Sequence, residues 1–102
     1  MFKKAIKIEP EDNVAVVIQD VHTGDNVDCK EVLITAIQDV PTGHKIALCN
    51  IPKGALIVKY GVPIGKAKNA IKKGQHVHID NVEDITEELC INYANKFRKE
   101  EY

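Results

Sequence analysis

Tryptophan is absent from this 102-residue chain, and aromatic residues make up only 5% of it. Base stacking needs aromatic faces, so the chain offers no platform for single-stranded nucleic acid. It also lacks an excess of either charge: 14 Lys and Arg stand against 15 Asp and Glu, a formal net of −1. A general nucleic-acid surface needs a basic surplus, and that class is excluded. No C-x-x-C occurs. The cysteines, Cys29, Cys49 and Cys90, are scattered and odd in number, which reads as reduced thiols of a cytoplasmic protein. Cys49, in an apolar run, reads as core. No apolar run reaches membrane-spanning length. The start, MFKKAIKIEPED, meets charge at once and does not read as a signal peptide. Also missing are a serine-centred nucleophile elbow and a phosphate loop, since Gly61-Val62-Pro63-Ile64-Gly65 has no Lys-Ser/Thr ending and opens no helix.

What the chain does have is a beat of turns. Pro41-Thr42-Gly43, Pro52-Lys53-Gly54, Pro63-Ile64-Gly65 and Lys72-Lys73-Gly74 each precede a short apolar-rich run. Glycine takes positive φ without a Cβ clash, and proline presets a turn while being excluded from central strands. Runs between the beats suit strands and are too short for helices. Strands are predicted over Phe2–Ile8, Val14–Ile18, Glu31–Ile37, Lys45–Cys49, Ala55–Tyr60, Lys66–Asn69 and Gln75–Ile79, with a loop over Gln19–Val27. Beyond Asn81 the grammar changes. Asp84 or Thr86 can cap a helix, and Ile85, Leu89, Tyr93 and Phe97 recur at helical spacing, predicting a helix over 85–99. The expected fold is mainly β, one small domain over 1–82 with a C-terminal helical extension over 83–102. Short strands with exposed edges favour a closed or folded-over β arrangement. A core this small favours a partner, with the helix a candidate interface.

The chemistry-bearing residues gather at strand ends. His76-Val77-His78 puts two imidazoles on one face of a strand, because side chains two apart point the same way. Imidazole is a common metal ligand, but two do not close a site, and a third group such as His44 or Asp80 has to converge on them. Lys45, Lys59, Lys66 and Lys68 lie near the same corners and suit a carboxylate or phosphate; the competing reading is that they are merely solvated. Residue types and spacing lead to a small β domain with an anion-binding surface and no further.

Longer strings carry more. Asp12-Asn13-Val14-Ala15-Val16, Ile37 to Leu48 with its Gly43-His44-Lys45-Ile46-Ala47-Leu48, Ile51-Pro52-Lys53-Gly54, Val58 to Ala67 with Lys59-Tyr60-Gly61-Val62-Pro63-Ile64-Gly65, and Gly74 to Asn81 occur in this order. Together they resemble the N-terminal SAF-type β-clip domain of altronate and galactarate dehydratases, over roughly residues 5–82. The resemblance implies a carbon–oxygen lyase that removes water from a sugar acid, with a divalent metal, iron or manganese, in the assembled enzyme, held by a large subunit. This domain then acts as a small subunit, inactive alone, that covers the site and adds polar groups to it. The alternatives are the small subunit of a sulfolactate sulfo-lyase-like enzyme, or a non-catalytic carboxylate-binding module. Implied partners are the large dehydratase subunit and a small sugar acid, with no nucleic acid or membrane, and a second copy of the chain is allowed. By position the resemblance carries over His44 and His78 as catalytic groups, and Asn13, Lys45, Lys59, Tyr60 and Asn81 as substrate contacts. It assigns no metal ligand to this chain. His76 falls outside the pattern, Asp80 stands where relatives often have a histidine, and Cys49 stands where a charged residue is common, which implies an exposed or variable face there.

Overall fold

The computed structural model describes residues 2–29 and 32–83. The predicted helix over 85–99, and Cys90 with it, lies outside the described residues. Nine strands are present among those described: β1 (Lys3–Ile6), β2 (Val14–Val17), β3 (Asn26–Asp28), β4 (Leu33–Thr35), β5 (Lys45–Ala47), β6 (Leu56–Lys59), β7 (Val62–Ala67), β8 (His76–Val77) and β9 (Val82–Glu83). They form a six-stranded sheet in the order β4-β3-β1-β2-β5-β8 and a three-stranded sheet in the order β6-β7-β9. All pairings are antiparallel except β1 with β3. The mainly β expectation holds.

The core divides into two clusters. One gathers Val17, Val21, Val27, Ile34, Val40 and Ile46 with their small neighbours. The other gathers Val14, Ile51, Ile57, Ile71 and Val77. Burying a Val or Ile contributes roughly 1.5–3 kcal/mol, and β-branched residues fit a pleated surface, so these short strands hold together by side-chain packing more than by length.

Each cluster is fastened by a bridged pair of turns. Val21 pairs with Val40, and Ile51 with Ile71. The first pair comes from a repeat in the sequence, Asp20-Val21-His22-Thr23-Gly24 and Asp39-Val40-Pro41-Thr42-Gly43. Each aspartate caps the other copy's turn. Asp20 Oδ1 accepts from the Thr42 amide at 2.9 Å and hydroxyl at 2.7 Å. Asp39 Oδ1 accepts from the Thr23 amide at 2.8 Å and hydroxyl at 3.0 Å. These hydrogen bonds to the ionised form, the backbone amide first, hold both carboxyls below their ordinary range. The second pair, Asn50-Ile51-Pro52-Lys53-Gly54 and Ala70-Ile71-Lys72-Lys73-Gly74, keeps half of the device: Asn50 Oδ1 accepts from the Lys73 amide at 2.9 Å, while Ala70 has no side-chain acceptor to offer Lys53.

Two residues splice the halves together. Asp12, 5% exposed, accepts from the amides of Ile8 at 3.2 Å, Glu9 at 3.1 Å and Gly61 at 2.7 Å. Burial pushes its carboxyl up, but these backbone donors together outweigh it and leave the pKa below the ordinary value. Asn13 donates to the Leu56 carbonyl at 2.8 Å and accepts from the Val58 amide at 2.7 Å, joining β2 to β6.

Several local predictions are corrected. Pro63 and Gly65 do not form a turn; both lie in β7, paired with Val58 and Ile57 across a bulge. A proline is tolerated there because β9 pairs only with Lys66 and Ala67, so β7 is effectively an edge at Pro63. Gly65 is required by closeness, since a Cβ would meet Val82 Cγ1 and the Glu83 carbonyl. The turn is instead Tyr60-Gly61, with φ of 55° and 74°. Lys59 pairs with Val62, so this is a two-residue hairpin of the kind that matches strand twist. The predicted piece Lys66–Asn69 is accordingly the end of β7 and a bend at Lys68 and Asn69, and the predicted loop Gln19–Val27 runs into β3. Cys49 is exposed, as its place in the resemblance implies and against the core reading of its apolar run; Cys29 is the buried thiol, and burial raises its pKa to about 11. On β1 the apolar set faces outward: Phe2, Ile6 and Ile8 are 58%, 41% and 58% exposed.

Candidate functional site

The site is built on the ladder between β5 and β8. The antiparallel register sets Lys45 opposite Val77 and Ile46 opposite His76. Continued by one residue, it sets His44 opposite His78. His44 follows the turn whose glycine is Gly43, and His76 follows the one whose glycine is Gly74, so two of the repeated turns deliver three imidazoles to one place. The rings lie nearly parallel. Centroids of His44 and His78 are 4.0 Å apart, those of His44 and His76 5.1 Å, and those of His76 and His78 5.5 Å.

His44 Nδ1 and His76 Nε2 are 2.9 Å apart and hydrogen-bonded. One nitrogen donates and the other accepts, so both rings cannot be doubly protonated while the bond persists. Burial, then the charges of His44, His78 and Lys45, lower the pKa of His76 against the opposing pull of Asp80. The shift favours the neutral imidazole of His76. His78 Nδ1 is buried without a hydrogen-bond partner. Native proteins rarely leave such an atom unpaired unless a ligand or function accounts for it.

The surroundings hold this geometry. Asn81, 8% exposed, accepts from the His78 amide and donates to the His76 carbonyl, each at 2.8 Å. Its side chain therefore braces the backbone that carries both histidines. The His76 amide donates to Gln38 Oε1 at 3.1 Å. Beside the histidines lies an open cleft of about 290 Å³ lined by Lys45, Ile64, His78, Ile79 and Val82. Lys45 is half-buried, and burial followed by repulsion from Lys59 lowers its pKa. Two like charges near a partly apolar cleft favour an anion between or beside them.

The predicted site residues thus separate into groups. His44, Lys45 and His78 come together. Lys59 joins them electrostatically through Lys45, with its Nζ 5.3 Å from the Tyr60 ring. Tyr60 itself occupies the tip of the β6–β7 hairpin. Asn13 and Asn81 direct their amides at backbone, the first at a strand joint and the second beneath the histidines. His76 lies outside the resemblance, but the His-x-His spacing signals it, and the required third group is His44. The three offer one ligand nitrogen each within 4.8 Å of one another, so the donor set fits a metal ion. His22 lies apart, exposed and 3.7 Å from Asp25.

A small β domain with an imidazole and ammonium cluster beside a cleft is the class that fold and site define. Residues 3–85 match the altronate/galactarate dehydratase SAF domain, and the chain belongs to that family. It is 36% identical over 102 residues to the altronate dehydratase of Bacillus subtilis, spanning 99% of this chain and 20% of the relative. It is 49% identical over 76 residues to that of Escherichia coli, spanning 74% and 15%. The chain therefore spans a fifth or less of these curated relatives. It is also 41% identical over 59 residues to the (2R)-sulfolactate sulfo-lyase subunit alpha of Paracoccus pantotrophus, spanning 58% of this chain and 84% of that one. These relatives are lyases. No helix among the described residues is long and apolar enough to cross a membrane.

Proposed function

We propose that this domain serves a sugar-acid hydro-lyase, covering and lining an active site completed by a large dehydratase polypeptide. The observation that carries the reading is one cleft lined by Lys45 and His78, with His44 stacked on His78, within a SAF domain of this family. Dehydration of a 2,3-dihydroxy acid removes the proton beside the carboxylate. Those electrons form a carbon–carbon double bond as the 3-hydroxyl leaves with a proton, and the resulting enol rearranges to the 2-keto-3-deoxy acid. Charge grows on the carboxylate as its neighbour loses the proton, so a fixed cation there stabilises the transition state more than the ground state. Lys45, with Lys59 behind it, supplies that cation. His44 and His78 are positioned to contact hydroxyls and to hold or pass the proton that leaves with water. Asn81 acts through them, by fixing β8. Asn13 and Tyr60 stand further off, as the joint and tip of the hairpin that carries Lys59. The outward apolar side chains of β1 suit burial against the large polypeptide.

The test is co-expression with a large dehydratase chain, supplied with iron or manganese, and assay of 2-keto-3-deoxy acid from altronate and galactarate. Turnover should appear only with both chains. His44→Ala and Lys59→Ala should each lower it about 10- to 1000-fold without unfolding the domain. Absence of product from any aldonic or aldaric acid would sink the reading. A second reading rests on the extent of the match to the sulfo-lyase alpha subunit, 84% of that chain. The same lysines and histidines suit a sulfonate, and release of sulfite from sulfolactate by the paired chains would establish it.

A further inference from the structure

The His44–His76–His78 cluster is unlike any other side-chain group among the described residues: three imidazoles from β8 and the residues flanking β5 and β8, whose ligand nitrogens lie within 4.8 Å of one another. We propose that these histidines bind one divalent first-row transition metal ion on this chain itself, with the remaining coordination positions open to the cleft that His78 and Lys45 line. This places a metal on the small domain, where the resemblance leads one to look for it on the large subunit, and makes His44 and His78 ligands in place of the proton-handling role given to them above.

Geometry supports it first. Three nitrogens about 2.0–2.1 Å from a tetrahedral zinc are separated by roughly 3.3–3.4 Å. The observed group, with its closest pair at 2.9 Å and all within 4.8 Å, reaches that arrangement by small ring rotations. The backbone that carries the rings need not move, because the β5–β8 ladder and the Asn81 amide already hold it. Such bracing is what orients ligands in built metal sites.

The donor chemistry is selective. Three neutral imidazoles and no carboxylate suit zinc, iron, cobalt, nickel or copper far better than magnesium or calcium, which prefer oxygen. Three protein ligands with an open position is the pattern of catalytic rather than structural sites. With no anionic ligand, the full double charge faces the cleft and adds to that of Lys45. A carboxylate or a pair of substrate oxygens is then the fitting further ligand. A metal also gives the orphaned His78 Nδ1, or the ring's other nitrogen with a consequent tautomer change, a reason to be buried.

The experiment uses the 102-residue chain alone, reduced and carrying Cys49→Ser to silence the exposed thiol. It is titrated with Zn²⁺ by calorimetry and with Co²⁺ by visible absorption. One ion per chain is expected, with cobalt bands of a nitrogen-ligated site, and His76→Ala should weaken binding at least about tenfold. His22→Ala should leave it unchanged. A stoichiometry near zero, a thiolate charge-transfer band, or undiminished binding by His76→Ala overturns the proposal. Should His76→Ala misfold, His78→Gln and the imidazole ¹⁵N shifts of the parent chain on adding Zn²⁺ decide it: unmoved shifts of all three rings reject the site. Metal binding by the isolated chain and turnover by the paired chains are separate readouts, so either claim can fail while the other stands.

Discussion

The two halves of this domain use the same device to different degrees. Around the first core cluster, Asp20 and Asp39 each cap the opposite turn, so four hydrogen bonds cross the Val21–Val40 bridge. Around the second, Asn50 caps one turn and Ala70 leaves the other without a side-chain acceptor across the Ile51–Ile71 bridge. The caps belong to the scaffold: their accepting atoms are consumed by turn amides and threonine hydroxyls. The histidines between the halves are the opposite case, with a buried nitrogen to spare. A polar residue that finishes a turn and one that awaits a ligand thus lie as close as five positions along the chain, as Asp39 and His44 do, and hydrogen-bond partners tell them apart.

The largest break in that comparison should come from Gly74. Its φ is 87°, and a Cβ there would meet the Thr35 carbonyl oxygen, which belongs to the other half. Gly74→Ala combines left-handed strain with a backbone clash and should cost roughly 2–4 kcal/mol in denaturant unfolding. Gly54→Ala, with the same sign of φ and open space around it, should cost only about 1 kcal/mol. Equal losses would show that turn conformation, and not contact between the halves, sets the cost.

A smaller effect should follow at the splice. Asp12→Ala removes three charge-assisted hydrogen bonds, two within the β1–β2 turn and one from it to Gly61 of the β6–β7 hairpin, for about 1–3 kcal/mol. The folded carboxyl titrates below its ordinary 3.8. Its contribution is therefore complete above that value and disappears as pH falls through the lower, folded one. Melting curves of parent and variant should be separated at pH 7 and converge below about pH 4; a gap that persists in acid would mean the side chain acts by packing.

The smallest effects measure the asymmetry itself. Asp39→Ala removes two bonds and Asn50→Ala one, so the first should lower the melting temperature more, both by a few degrees at most. The Asp39 loss should also fade in acid, because its carboxyl too is held below the ordinary range. Ala70→Asp should raise the melting temperature by roughly 1–2 °C by supplying Lys53 with the missing acceptor. No gain would show that the second bridge tolerates its open turn for a reason beyond capping.

Much of this was legible along the chain. Glycine punctuation located three of the four predicted turns correctly, and β-branched runs located most strands. The failure at Pro63 and Gly65 has a physical cause. Proline and glycine mark turns, but they equally mark a strand edge and a close strand crossing, and only the position of β9 separates these meanings. The paired Asp-Val-x-Thr-Gly copies were a readable signal for the bridged turns, since identical short strings with a capping residue at the same place invite reciprocal pairing.

The sequence alone determined the mainly β character and the family, because turn chemistry, β-branched runs and the ordered motif strings are local and additive along the chain. It also contained His76-x-His78 on one strand face. Only the tertiary structure decided which third group meets that pair, because register across β5 and β8 depends on two turns 31 residues apart, Gly43 and Gly74. It likewise decided that Asn13 and Asn81 bond backbone while His78 keeps a nitrogen unpaired, since satisfaction of a polar group is a property of its surroundings, not of its residue type.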